Sequence, residues 1–113
     1  MYMKYIFESA MSDGLLTKDA IRAALQEVID PEVGVNVFDL GLIYEVWVGG
    51  GTVRVKMTMT TPACPMGTYI TDSAKNSLRA MAPNISDVQV HLVWDPPWNP
   101  TMMSDEAKQL LGW

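Results

Sequence analysis

A chain of 113 residues with 8 Lys and Arg against 13 Asp and Glu carries a formal charge of −5, and its 1 cysteine is Cys64. An acidic chain without a basic run cannot collect the phosphate contacts that drive nucleic-acid binding. One thiol can neither close an intramolecular disulfide nor supply the ligand set of a zinc finger or a resident metal–sulfur cluster. With 49% apolar and 19% charged residues, the composition is that of a folded domain rather than a disordered chain.

At this length a single core buries roughly two-thirds of the unfolded chain's surface. Residues 14–113 are therefore expected to form one domain, preceded by a flexible extension over residues 1–13 in which Met11-Ser12-Asp13-Gly14 reads as an alternative beginning. The apolar stretches are broken by charge or glycine well short of the ~20 residues of a membrane span. Glu8 interrupts the short apolar patch of Met1 to Ala10, so no signal peptide is expected. With an unpaired thiol, these features point to the reducing cytoplasm.

In chain order, Ile21, Ala24, Leu25, Val28 and Ile29 recur at helical spacing, with Thr17 as N-cap and Asp30-Pro31 as the stop. A loop through Gly34, Asn36 and Asp39 leads to Gly41. Leu42, Tyr44, Val46 and Val48 then alternate with polar or aromatic partners, and after Gly49-Gly50-Gly51 so do Val53, Val55, Met57 and Met59, which predicts a β-hairpin. Arg54, Lys56 and Thr58 give the second strand a wet face, so helices should cover the sheet on one side only. Thr60 to Gly67 is a loop. A second helix follows to Met81 with Ile70, Ala74, Leu78 and Met81 on one face, and Val88, Val90, Leu92 and Trp94 mark a third strand. Asp95-Pro96-Pro97-Trp98-Asn99-Pro100 is irregular, and Ser104 caps a short helix to Leu111 whose first turn holds Asp105 and Glu106. The order α-β-β-α-β with a terminal helix predicts an α+β fold, a two-layer sandwich with a small mixed sheet.

Cys64 stands before Pro65, a residue favoured at the first position of a helix. A thiol near the N-cap of the second helix would be held as thiolate by free N–H groups and the helix dipole, with a pKa below the free value of about 8.5. Such a thiol can bind a soft metal, accept sulfur or attack an electrophile; a buried apolar filler is the alternative, and the Thr/Pro loop favours the functional reading. Asp39 and Asp95 fall at strand ends, where each could ligate a metal or support the Cys64 loop, although the residues alone favour capping of local N–H groups in an Asx-type turn for both. Helix termination accounts for Asp30 and Glu32. His91 belongs to the sheet face opposite Val90 and Leu92, and nothing pairs it with Cys64. Met57, Met59 and Met81 lie on core stripes, which leaves Met66, Met102 and Met103 for an adaptable contact surface. Trp98, between prolines, either stands exposed as a partner anchor or packs over the terminal helix.

Asp30-Pro31-Glu32, then Asn36 to Tyr44, then Thr58-Met59-Thr60-Thr61-Pro62-Ala63-Cys64-Pro65, then Val93-Trp94-Asp95-Pro96-Pro97-Trp98 together resemble the SufT/PaaD-type family of iron–sulfur cluster assembly factors. The resemblance runs from about Thr17 onward. It implies a small α+β domain that helps load clusters onto client apo-proteins alongside other assembly proteins, with Cys64 as functional thiol, Asp39 in the same site, and Thr61 and Asp95 in the adjoining loops. The PaaD branch carries a further cysteine-bearing C-terminal segment, whereas this sequence ends at Gly112-Trp113, so a stand-alone SufT-like role is expected. One thiolate per chain implies that iron or a cluster is held only transiently, completed by a client or within a homodimer. Two rival readings stay open. Thr61-Pro62-Ala63-Cys64 fits the T-x-x-C of peroxide-reducing thiol enzymes, though without a resolving cysteine, and an adaptor could dock clients through Trp98 and Met66 with no chemistry of its own.

Overall fold

The computed structural model describes residues 4–7, 18–49, 51–60, 67–81 and 85–112. They form β1 (Lys4–Phe7), α1 (Lys18–Gln26), β2 (Ile43–Gly49), β3 (Thr52–Met57), α2 (Gly67–Met81), β4 (Asp87–Leu92), a 3-10 turn at Pro100–Met102 and α3 (Asp105–Leu111). The sheet is four-stranded, in the order β1-β2-β3-β4. β2 and β3 pair antiparallel while β1–β2 and β3–β4 are parallel, so the sheet is mixed, as the element order predicts.

Cross-strand register explains why this sheet has one dry and one wet face. Val46 sits opposite Val55 and Val48 opposite Val53, and β4 extends both rows with Val90 and Val88. β-branched side chains pack well on a pleated surface, and each fully buried one contributes roughly 1.5–3 kcal/mol. On the other face Glu45 lies opposite Lys56, Trp47 opposite Arg54, and Gln89 and His91 continue the polar rows. Lys56 pairs with Glu45 at 3.6 Å, and the Arg54 guanidinium lies 5.0 Å from the Trp47 ring. The apolar stripes of α1 (Ile21, Ala24, Leu25) and α2 (Ile70, Ala74, Leu78) are buried in the common core, which makes the second layer of the sandwich. In α3, Ser104 accepts the Ala107 N–H as N-cap, as expected, and Ala107 is buried.

Four departures from the sequence reading have identifiable causes. Lys4–Phe7, within the stretch read as a flexible extension, pair with β2 as an edge strand too short to show a period. Ile29 leaves the α1 stripe and is 45% exposed, because the helix ends at Gln26 and a β-bridge to Asn36 sets its orientation. Leu92 and Trp94 are exposed because the inward row of edge strand β4 loses its cover toward the strand's end. Met103, assigned to a contact surface, is buried in the core, while half-buried Met102 receives the Tyr44 hydroxyl at 3.5 Å. The Thr17 cap lies outside the described residues.

Candidate functional site

The loops that follow α1 are built by a few polar side chains. Pro31 cannot continue the helix, and Asp30 organises the turn that replaces it. Its Oδ1 accepts the Glu32 N–H at 2.9 Å, and its carbonyl accepts the N–H groups of Val33 and Gly34. In the next turn Asn36 Oδ1 accepts the Asp39 N–H at 2.8 Å while Asn36 Nδ2 donates to Asp39 Oδ2 at 2.7 Å. The Asx-type turn therefore belongs to Asn36. The Asp39 carboxylate meets the amides of Asn36 and, at 3.4 Å, Gln26. Gly41 closes this loop with φ +78°, where a Cβ would stand 2.2 Å from the Met102 carbonyl oxygen, so only glycine allows the two backbones to approach.

The proline-rich strap after β4 is fastened to this loop at several points. The Trp98 indole N–H donates to the Leu40 carbonyl at 2.7 Å, the Tyr44 hydroxyl to the Pro96 carbonyl at 2.7 Å, and the Ser104 N–H to the Asp39 carbonyl at 2.8 Å. The Asp95–Pro96 peptide is cis. At the end of β3 the Thr58 N–H donates to Leu42 O, Leu42 N–H to Val37 O, and Val37 N–H to Val28 O, so one run of backbone bonds joins the three segments. A cavity of about 260 Å³ lies where they meet, lined by Val33, Leu40, Thr60, Trp98, Met103 and Leu111. Thr60 is the residue from which the chain enters the Cys64 segment.

Cys64, Thr61 and Met66 lie outside the described residues. α2 is described from Gly67, two residues before the start that its apolar stripe suggests at Tyr69, and the expected cap at Cys64 falls among the residues not described. Asp39 lines a separate recess of about 450 Å³ with Arg22, Gln26, Phe38, Ser104 and Glu106. Asp95 is exposed at the start of the strap. Trp98 is half-buried against the core and shares the cavity wall with Leu111 of the terminal helix, which is the packing alternative rather than the free-standing one. His91 is exposed on the wet face beside Gln89, at 3.2 Å. Among the described residues no three His, Cys, Asp or Glu side chains gather to hold a metal ion.

Two groups escaped the sequence reading. Asp30 is 1% exposed and Thr58 fully buried, and among the described residues Asp30 Oδ2 and Thr58 Oγ1 have no hydrogen-bond partner. Buried polar atoms are nearly always satisfied, so an orphan oxygen in each of two motif segments marks a place where a structural explanation is incomplete. Helix termination hid the first and strand alternation the second.

A family model described as iron–sulfur cluster assembly protein matches residues 18–92, from α1 to the end of β4. The chain belongs to this family. Among its relatives in the iron–sulfur cluster assembly family, it is 49% identical over 86 residues to the Staphylococcus aureus Fe-S protein maturation auxiliary factor SufT, covering 75% of this chain and 97% of that one. It is 43% identical over 96 residues to the Bacillus subtilis Fe-S protein maturation auxiliary factor YitW, covering 84% and 93%. A crystal structure of a domain of unknown function from Bacillus anthracis shares the fold with a TM-score of 0.80 at 39% identity, covering 83% of this chain and 90% of that chain. The family's matched region contains the Asp30, Asp39, Thr58 and Cys64 segments, and the strap bonded to Asp39, Leu40 and Tyr44 follows it.

Proposed function

We propose that, within the iron–sulfur cluster assembly role its family carries, the protein is a cytoplasmic maturation factor that delivers clusters to client apo-proteins through the Cys64 thiolate and catalyses no turnover of its own. Supporting this reading above all is the meeting of three of the four sequence motifs beside the chain that leads into the Cys64 segment, with Trp98, Leu40 and Thr60 in one cavity wall. The bonded pair Leu40 and Trp98 gives the chain a fixed point from which the Cys64 segment departs, and ligand exchange with a client benefits from such a base.

In this account the cluster or its iron is cargo. Cys64 supplies one thiolate, which is too few ligands for stable residence, so the remaining ligands come from the recipient. Asp39, Thr61 and Asp95 support the loop, while Met66 and the cavity face of Trp98 meet the client. Maturation names borne by the S. aureus and B. subtilis relatives fit this assignment. Anaerobic incubation with ferrous iron and sulfide, followed by iron analysis and visible absorption, tests it. Wild type should retain iron or cluster absorption that Cys64→Ser loses; equal retention by both would remove Cys64 from the cargo site.

A further inference from the structure

Among the described residues the strand β4 is an edge of the sheet. Asp87–Leu92 contains no proline, no lysine and no bulge, the usual devices by which proteins protect an edge. The Val93 N–H donates to Met57 O and the Asp87 N–H to Gly51 O, so odd-numbered residues point their backbone groups at β3. By alternation, Val88, Val90 and Leu92 turn their N–H and C=O groups outward, where among the described residues no strand pairs with them.

The side chains on this strand are self-complementary. On the wet face Asp87, Gln89 and His91 follow one another, linked by Gln89 Nε2 to Asp87 Oδ2 at 2.8 Å and Gln89 Oε1 to His91 Nε2 at 3.2 Å. Turned antiparallel about Gln89, the same triplet sets acid against imidazole and amide against amide. The outward backbone groups then fall into hydrogen-bonded register, Val88 opposite the partner's Val90, which antiparallel pairing requires. Charge points the same way. The chain carries −5 overall, but this face holds Arg54, Lys56 and His91 beside Glu45 and Asp87. It is the surface on which two acidic chains meet with least repulsion.

We propose that β4 pairs antiparallel with β4 of a second copy, centred on Gln89, with Asp87 facing the partner's His91 and the two sheets joined into one. The pairing has a consequence for the cargo reading, on which this clause alone rests. Met57 lies level with Leu92, so antiparallel β4 strands send the two β3 ends at Met57 to opposite ends of the joined sheet, which favours completion of the ligand set by the client over completion by the second copy.

Sedimentation equilibrium of the full chain, with reductant present to exclude a Cys64 disulfide, tests the interface independently of iron. Wild type should be a dimer. Val90→Pro removes an outward N–H at a half-buried position and should give a monomer that keeps the wild-type circular dichroism. His91→Asp places carboxylates opposite one another twice per dimer and should raise the dissociation constant by about tenfold or more, and Asp87→His in the same chain should recover it. A wild type that stays monomeric at high concentration overturns the proposal. So does a dimer that survives both single substitutions, since its contact lies elsewhere.

Discussion

Replacing Gly41 by alanine tests how the Asp39 loop is held to the strap. Two effects add at this position. With φ +78° an L-residue pays about 1–2 kcal/mol for left-handed backbone. The new Cβ would also lie 2.2 Å from Met102 O and 2.7 Å from Met102 C, both backbone atoms that cannot rotate away. Forcing a methyl group into such a contact costs typically about 1–3 kcal/mol more. Gly34 provides the control, because it has nearly the same φ of +79° and nothing within 4 Å of the added Cβ. At about 4 °C of melting temperature per kcal/mol for a domain of this size, Gly34→Ala should lower the midpoint by about 4–8 °C and Gly41→Ala by about 8–20 °C. Thermal melts followed by circular dichroism, with tryptophan fluorescence for the Trp98 contact, measure both. Equal midpoints for the two variants would show that the Gly41 and Met102 backbones do not meet as described, and the fastened base of the Cys64 segment would lose its main steric support.

Other expectations follow from single contacts. Thr58→Val removes a buried hydroxyl without a partner among the described residues and should raise the urea midpoint by an amount equivalent to about 1 kcal/mol, whereas a lower midpoint would mean the hydroxyl is satisfied. Tyr44→Phe deletes the donor to Pro96 O and should cost about 1 kcal/mol in the same assay, and an unchanged midpoint would show that the strap does not depend on it. Ser104→Ala should cost about 1 kcal/mol through loss of the α3 cap, and rescue by Ser104→Asp is expected because either side chain accepts the Ala107 N–H.

Periodic segments were the legible part of this chain. The α1 stripe up to Val28, the α2 stripe, the valine alternation of the hairpin and the Ser104 cap depend on residues within a few positions of one another, and these stand as read. What was not legible depends on distant partners. Tyr44 and Ile43 are both buried because the register shifts between Ile43 and Glu45, which strict alternation cannot anticipate. Trp98 reads equally well as a free anchor or as packed over the terminal helix until Leu40, far back in the chain, proves to accept its N–H. Met103 reads as surface until the strap folds it into the core. At the site, Asn36 and Asp39 were recognisable as turn formers, but which of them capped the backbone required the geometry. Asp30 looked fully explained by Pro31, and only burial leaves one of its oxygens without a partner.

The central claim, that Cys64 is the group through which clusters reach client proteins, is tested most directly by cluster occupancy of client enzymes in cells that lack this protein. Occupancy should fall in the deletion strain, recover with the wild-type chain and stay low with Cys64→Ser expressed at the same level. Full recovery with Cys64→Ser would contradict the account.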